Sequence, residues 1–261
     1  MPELPEVEVT CRNVARWTSA RRVRELAVDD PAVLRSGDPT SVVGANVAPA
    51  YRRAKLCLIP LGTQVLVVHL RMTGKLVRAG PGRRAPRLRL TLDDGCVVVF
   101  EDVRRLGQAW LVLDAELPGF LATHAPGAEP WPVVRDGEWL RAALSGKRGP
   151  VKTALMDGRR ISGVGNIGAS EACWRAAVDP QRRVPDLSPP EWSRLMDGVR
   201  GWIGDTIAAE DGDEIVYLQH GGVNPFHVYG RAGAACPRCG AAIARLVQSG
   251  RATFHCAGCQ A

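Results

Sequence analysis

Residues 236–259 read CPRCGAAIARLVQSGRATFHCAGC: two Cys-x2-Cys pairs, Cys236 with Cys239 and Cys256 with Cys259, separated by sixteen residues. A tight Cys-x2-Cys turn points both sulfurs at one place, and two such turns at this separation match a single structural zinc ion held by four thiolates. Between the pairs, AIARLVQ and RATFHC are strand-like runs joined by Ser249-Gly250, a hairpin turn that leaves Arg251 at the tip. A ribbon of about 30 residues cannot bury enough surface to fold alone, so the metal supplies its stability. A redox dithiol is the competing reading, but no βαβ pattern surrounds these cysteines. His255 adjoins Cys256, yet four thiolates already complete the tetrahedron. Cys11, Cys57, Cys96 and Cys173 are scattered singly among apolar residues and are expected to be buried thiols.

Upstream of the ribbon, residues 137–210 carry helical segments such as EWLRAAL, SEACWRAAV and PEWSRLMDGVRGWIGDTI. Among them lies VKTALMDGRRISGVGNIGASEACW, where Gly163 and Gly165 break one helix and Asn166 is suited to cap the next. A glycine-bordered helix start is also a place where a phosphate can sit. LPGFLATHAPGAEPWP reads as a connection. Before it, CLIPLG, QVLVVHL, RLRLTL and CVVVF are β-rich runs spaced by Gly, Pro and Asp turns, as in a sandwich or barrel. The expected architecture is therefore α+β and multidomain. Residues 1–118 form a β-sandwich domain with a first helix, 119–133 a linker, 134–228 a helical domain and 229–261 the ribbon.

The chain opens MPELPEVEVTCRNVARW. Pro5 suits a first helical turn, Glu6 and Glu8 suit the positive helix end, and Val7, Cys11, Val14 and Ala15 make one apolar face. Pro2 and Glu3 stand ahead of that helix and are not explained by it. Overall, 34 Lys and Arg against 27 Asp and Glu give +7, a balance that fits a polyanionic partner. Aromatic content of 5% argues against a single-strand stacking platform. No run reaches the length of a membrane span, and no leader-like segment opens the chain, so a cytoplasmic protein is expected.

PELPEVE, YRRAK at 51–55, HLRMTG at 69–74, EDVRRLG at 101–107, PVKTALMD at 150–157, ISGVGNIGASEA at 161–172, and VYGRAG with the ribbon cysteines and QSGRATFHC together resemble the formamidopyrimidine-DNA glycosylase and endonuclease VIII family. The resemblance runs in order along nearly the whole chain. It implies a bifunctional base-excision-repair glycosylase and AP lyase, built from a β-sandwich, a helix-two-turn-helix domain and a zinc ribbon with one structural Zn2+, acting on damaged double-stranded DNA. A monomer in the bacterial cytoplasm, associated with the nucleoid, is the corresponding expectation. On this resemblance Pro2, freed of Met1, attacks C1′ of the damaged nucleotide and forms an iminium. An α-amine titrates at about 8, so a useful fraction is neutral at pH 7 without a buried lysine's shift. Glu3 matches the acid/base carboxylate and Lys55 a lysine that assists elimination. Lys152 matches a lysine near the damaged base. His69, Asn166 and Arg251 match residues that hold the flanking phosphates.

Met72, Arg104 and Leu106 match the residues that fill the gap left by an everted nucleotide. The family's glycosylase branch has Phe where this chain has Leu106. The stretch EDGDEIVYLQHGGVNPFHVYG also lacks the Gly-Gly-Thr-Thr-like pattern usual in the oxidised-purine enzymes. Three functions are therefore carried forward: removal of oxidised purines such as formamidopyrimidine and 8-oxoguanine, removal of oxidised pyrimidines, and a catalytically silent damage-binding protein.

Overall fold

The computed structural model describes residues 2–80, 86–212, 214 and 224–260. In chain order these form α1 (Leu4–Thr18), β1 (Val23–Val28), β2 (Tyr51–Arg53), β3 (Leu56–Leu61), β4 (Gln64–His69), β5 (Lys75–Arg78), β6 (Pro86–Leu92), β7 (Val97–Glu101) and β8 (Gln108–Leu113). They continue with α2 (Leu117–His124), α3 (Gly137–Ala143), α4 (Val151–Leu155), α5 (Asn166–Ala176), α6 (Pro189–Glu210), β9 (Ala244–Gln248) and β10 (Arg251–His255). Contacts divide the chain into two compact units, Met1–Ala125 with Glu210–Tyr217, and Pro126–Ala209 with Leu218–Ala261.

The first unit holds two four-stranded antiparallel sheets, ordered β1-β6-β7-β5 and β2-β3-β4-β8. One core joins their inner faces: Leu26, Leu88, Leu90 and Phe100 from one sheet meet Cys57, Ile59, Leu66 and Val68 from the other, with Val7, Cys11, Val14 and Trp17 of α1. Alternate residues of the same strands, Leu56, Leu58, Val65 and Val67, belong to a second cluster. Both faces of β3 and β4 are thus buried, which is why CLIPL and VLVV read as continuous apolar runs instead of alternating ones. Fully burying each such side chain contributes roughly 1.5–3 kcal/mol.

The outer cluster is closed by Leu117, Phe120 and Leu121 of α2, whose Phe120 ring meets Trp110 edge-on at 5.4 Å. Residues 119–124, expected as linker, are therefore helical. Pro118 is tolerated in the first turn, and partial burial of Phe120 and Leu121 against the outer cluster offsets the glycine at 119. Of the scattered cysteines, Cys11, Cys57 and Cys173 are buried as expected, whereas Cys96 is partly exposed. Burial pushes the Cys11 thiol well up and that of Cys173 up to about 12, so neither is a nucleophile at neutral pH.

In the second unit α5 is buried along almost its full length. A Cβ on Gly168 would lie 2.5 Å from the Trp202 ring of α6, so only glycine lets that indole close over α5. The hairpin β9–β10 pairs Gln248 with Arg251, and Ser249 and Gly250 both take left-handed backbone, with φ of 48° and 73°. That is the two-residue turn whose twist matches an antiparallel pair. Among the described residues no helix is long and apolar enough to cross a membrane.

Candidate active site and zinc centre

Glu3 is the N-cap of α1 and Glu6 its N3 residue. The two form a reciprocal capping box, with the Glu3 amide donating to Glu6 Oε2 at 2.8 Å. Glu3, which cap preferences leave outside the helix, is therefore its starting residue. Pro2, Glu3 and Glu6 are all buried. Burial and the Glu3 carboxylate push Glu6 up to about 7. Glu210, the last residue of α6, is pushed up to about 8 by burial and by Glu6, and its Oε2 is buried without a hydrogen-bond partner among the described residues. Gly212, two residues on, accepts from Asn13 Nδ2 of α1 at 2.8 Å, which ties this segment to the first helix. Sequence reading missed Glu210, since an acid at a helix end carries no motif.

This cluster has a pH consequence. Between 4.5 and about 7 the folded Glu6 keeps a proton that the unfolded chain has released, so stability falls as pH rises through that window. Glu6→Gln, which keeps an acceptor for the Glu3 amide, is expected to flatten this fall. Urea unfolding at pH 5 and pH 8 checks it: the loss between the two should be smaller in the variant than in the parent.

Lys55 lies in the two-residue turn between β2 and β3, where Arg53 pairs with Leu56 and Ala54 takes a left-handed φ of 54°. Leu56 pairs in turn with His69, the last residue of β4, which brings Lys55 beside that imidazole. Burial, Arg71 and Lys55 drive His69 down to about 3. Its Nδ1 accepts the Arg71 amide at 3.0 Å, so the neutral ring carries its proton on Nε2 and offers one donor. Met72 is half-buried in the turn after β4, while Arg104 and Leu106 are exposed in the loop between β7 and β8. Exposure of 45% for Leu106 and 79% for Val103 puts two apolar side chains in solvent on that loop. Val103 was not singled out from the sequence.

In the second unit the structure brings Lys152, Asn166 and the Arg251 hairpin together. Lys152 is fully buried on α4, its Nζ donating to Asn166 Oδ1 at 2.5 Å, Thr253 Oγ1 at 2.7 Å and the Ala252 carbonyl at 3.3 Å. Asn166 Nδ2 donates to that same carbonyl at 3.0 Å. Asn166 is consequently not the helix cap expected from its type. Gly165 takes the N-cap, and the amide, one residue further in, is committed to Lys152 and β10. Arg251, next to Ala252, is exposed.

The four ribbon sulfurs lie within 4.8 Å of one another, with Cys236–Cys259 at 3.9 Å and Cys239–Cys256 at 3.5 Å. A tetrahedral ion with Zn–S bonds of about 2.3 Å needs sulfur–sulfur edges of about 3.8 Å, so the set fits one zinc. Trp174 Nε1 and the Arg238 amide each donate to Cys236 Sγ at 3.4 Å, the contacts that a thiolate ligand attracts. His255 lies outside this ligand set. The Trp174 ring also stacks on His227 at 4.5 Å and takes the Arg238 guanidinium over it at 4.3 Å. Ile243 and Phe254 join it in the small core that seats the ribbon.

In chain order, then, a β-sandwich with a buried carboxyl pair at the head of its first helix is followed by a helical unit carrying a four-thiolate ribbon. Models of the formamidopyrimidine-DNA glycosylase N-terminal domain, its H2TH domain and the zinc finger found in FPG and IleRS match residues 1–109, 127–216 and 233–261. Formamidopyrimidine-DNA glycosylases of Paracoccus denitrificans and Alkalilimnicola ehrlichii are 36% and 34% identical, with the whole of each chain covered. Among solved structures, MutM (Fpg) of Thermus thermophilus superposes with a TM-score of 0.86 at 31% identity, covering 99% of this chain and 98% of that one. MutM in complex with DNA containing carbocyclic 8-oxo-G gives 0.88 at 26% identity, with 99% of each chain covered. This chain belongs to the formamidopyrimidine-DNA glycosylase family.

Proposed function

We propose that the protein excises oxidised purines, formamidopyrimidine and 8-oxoguanine foremost, from duplex DNA and then cleaves the strand, with Pro2 as the nucleophile. The placement of Pro2 and Glu3 at the buried head of α1, on the helix that anchors into the sandwich core, carries this reading. Once Met1 is removed, the neutral Pro2 amine bonds to C1′ as the glycosidic bond breaks and the base leaves with a proton. Glu3 protonates the ring oxygen as the sugar opens, giving an iminium of fixed positive charge. That charge acidifies the C2′ proton, whose removal expels the 3′ phosphate; a second elimination releases the 5′ phosphate. Lys55 assists elimination beside His69, which holds a phosphate through neutral Nε2–H.

On the second unit Asn166 and Arg251 grip phosphate, and Lys152 fixes Asn166 and the strand β10 that Arg251 opens. Arg251→Ala is expected to weaken binding to abasic-site DNA and to lower the salt slope by about one unit, with zinc retained. A His69→Gln change should weaken binding without altering that slope, because the imidazole is uncharged. Titrations by fluorescence anisotropy at several salt concentrations check both. An unchanged slope for Arg251→Ala would return that residue to ordinary solvated surface.

Leu106 supports a second reading, since an aliphatic wedge lacks the ring of the purine branch and suits a broader substrate set that includes oxidised pyrimidines. Within the stretch that departs from the purine enzymes, residues 213 and 215–223 lie outside the described residues. A panel of duplexes with single lesions, incubated with untagged protein and borohydride, tests the choice. Trapping should be strongest on formamidopyrimidine and 8-oxoguanine. Dominant trapping on oxidised pyrimidines would favour the second reading, and no trapping even on abasic DNA would leave a silent damage binder. The reading includes a monomer on the bacterial nucleoid, consistent with the bacterial relatives; elution at 28.1 kDa checks the former.

A further inference from the structure

The turn that carries Met72 and the loop that carries Arg104 and Leu106 are stitched to each other by side chains that the chemistry does not use. Asp102 accepts from the Thr73 hydroxyl through Oδ1, from the Arg104 amide at 3.2 Å, and from the Gly107 amide through Oδ2 at 2.6 Å. Thr73 Oγ1 itself accepts the Arg104 amide at 3.2 Å. Arg87 of β6 closes the arrangement from below: Nη1 donates to the Gly107 carbonyl at 2.8 Å and lies 3.6 Å from Asp102, while Nε donates to Asp30 Oδ2 at 2.8 Å. Arg105 reaches that same Asp30 oxygen at 2.8 Å. Asp102, Thr73 and Arg87 are all buried.

Packing repeats the pattern. A Cβ on Gly74 would fall 2.8 Å from the Phe100 ring, and one on Gly107 would fall 2.4 Å from it, so both segments press on a single ring. Arg71 and Arg105, one at each segment, hold left-handed backbone with φ of 58° and 53°. Non-glycine residues stay in that region only where their surroundings fix them. Met72, Arg104 and Leu106 thus stand on one rigid support, although they come from separate parts of the chain.

We propose that Asp102, with Thr73 and Arg87, is a positioning residue for base eviction: it sets Met72, Arg104 and Leu106 as a preformed wedge before DNA arrives. This rests on the glycosylase reading above. Eviction is needed only where a base is stacked, so the clamp should matter for a lesion duplex and not for a duplex that already has an abasic site. Displacing a positioned group by about 1 Å can cost on the order of a hundredfold in rate.

Thr73→Val, in the full-length zinc-loaded protein, removes the hydroxyl and keeps the shape. Single-turnover base release from an 8-oxoguanine duplex is expected to drop about tenfold or more, while strand cleavage at a preformed abasic site stays within about twofold. Thr73→Ser should restore base release, and Asp102→Asn should show the same split more strongly. An equal fall on both substrates, or no fall on either, would overturn the proposal. Should Asp102→Asn fail to fold, the Val and Ser pair at position 73 still decides. Wild-type protein that does not cleave the abasic duplex would instead count against the glycosylase reading, and 2-aminopurine fluorescence beside the lesion would then still report whether Thr73→Val alters wedge insertion.

Discussion

Removing zinc, by a strong chelator or by Cys256→Ser, is expected to melt the ribbon and to lower affinity for abasic-site DNA on the order of a hundredfold. The ribbon's own core is small: Ile243, Phe254, Cys236 and Cys256 with the Trp174 indole. Binding of structural zinc in comparable fingers is worth about 10–16 kcal/mol, far more than those few side chains supply. The hairpin also provides Thr253 Oγ1 and the Ala252 carbonyl, which hold Lys152 and Asn166 in place. Losing the metal therefore removes Arg251 and loosens two residues on neighbouring helices together. Helices α5 and α6 pack directly on each other, Trp202 over Gly168, and are expected to persist without the ion. Far-ultraviolet dichroism should change little, metal analysis should read one zinc per parent chain and none in the chelated protein, and anisotropy should show the affinity loss. A zinc-free protein that binds DNA normally would contradict this role for the ribbon.

How much of this could be read in the chain differs by region, for physical reasons. The zinc ligands were legible because four thiolates at two fixed spacings have few other uses. The hairpin tip was legible too, since Ser249-Gly250 allows the positive φ that a two-residue turn needs. Strands β3 and β4 were visible as apolar runs, but what covers their outer face was not. α2 hides behind Pro118 and Gly119, and its support is long-range: Phe120 against Trp110, with Leu117 and Leu121 partly buried on the same outer cluster. Asn166 shows the limit of residue preferences: an amide suited to capping is instead taken by the buried Lys152 ammonium, a long-range partner that no local window contains. His69 was located through its motif, but its tautomer follows from the Arg71 amide and its neutrality from burial beside two cations. The Thr73–Asp102–Arg87 clamp joins positions that are far apart in sequence, two of them inside recognised motifs whose letters do not say what they touch.

The proposed chemistry turns on Pro2 as the covalent nucleophile. Pro2 is not needed by the helix that follows: the capping box is complete with Glu3 and Glu6, and Pro2 stands ahead of it. A protein carrying an amino-terminal tag has an amide where the amine would be, and an amide nitrogen does not attack carbon. Its affinity for lesion DNA should survive, because the residues proposed to grip DNA, Asn166, Arg251 and the Met72–Arg104–Leu106 wedge, are untouched. The decisive measurement is borohydride trapping on an abasic or 8-oxoguanine duplex by two proteins, one blocked at the amino terminus and verified intact by mass, the other tagged only at the carboxyl terminus with Met1 removed. A covalent complex is expected with the second and background with the first. Undiminished trapping by the blocked protein would contradict that role for Pro2 and would move the nucleophile to an internal lysine, with Lys55, partly exposed in the same unit, the first to test.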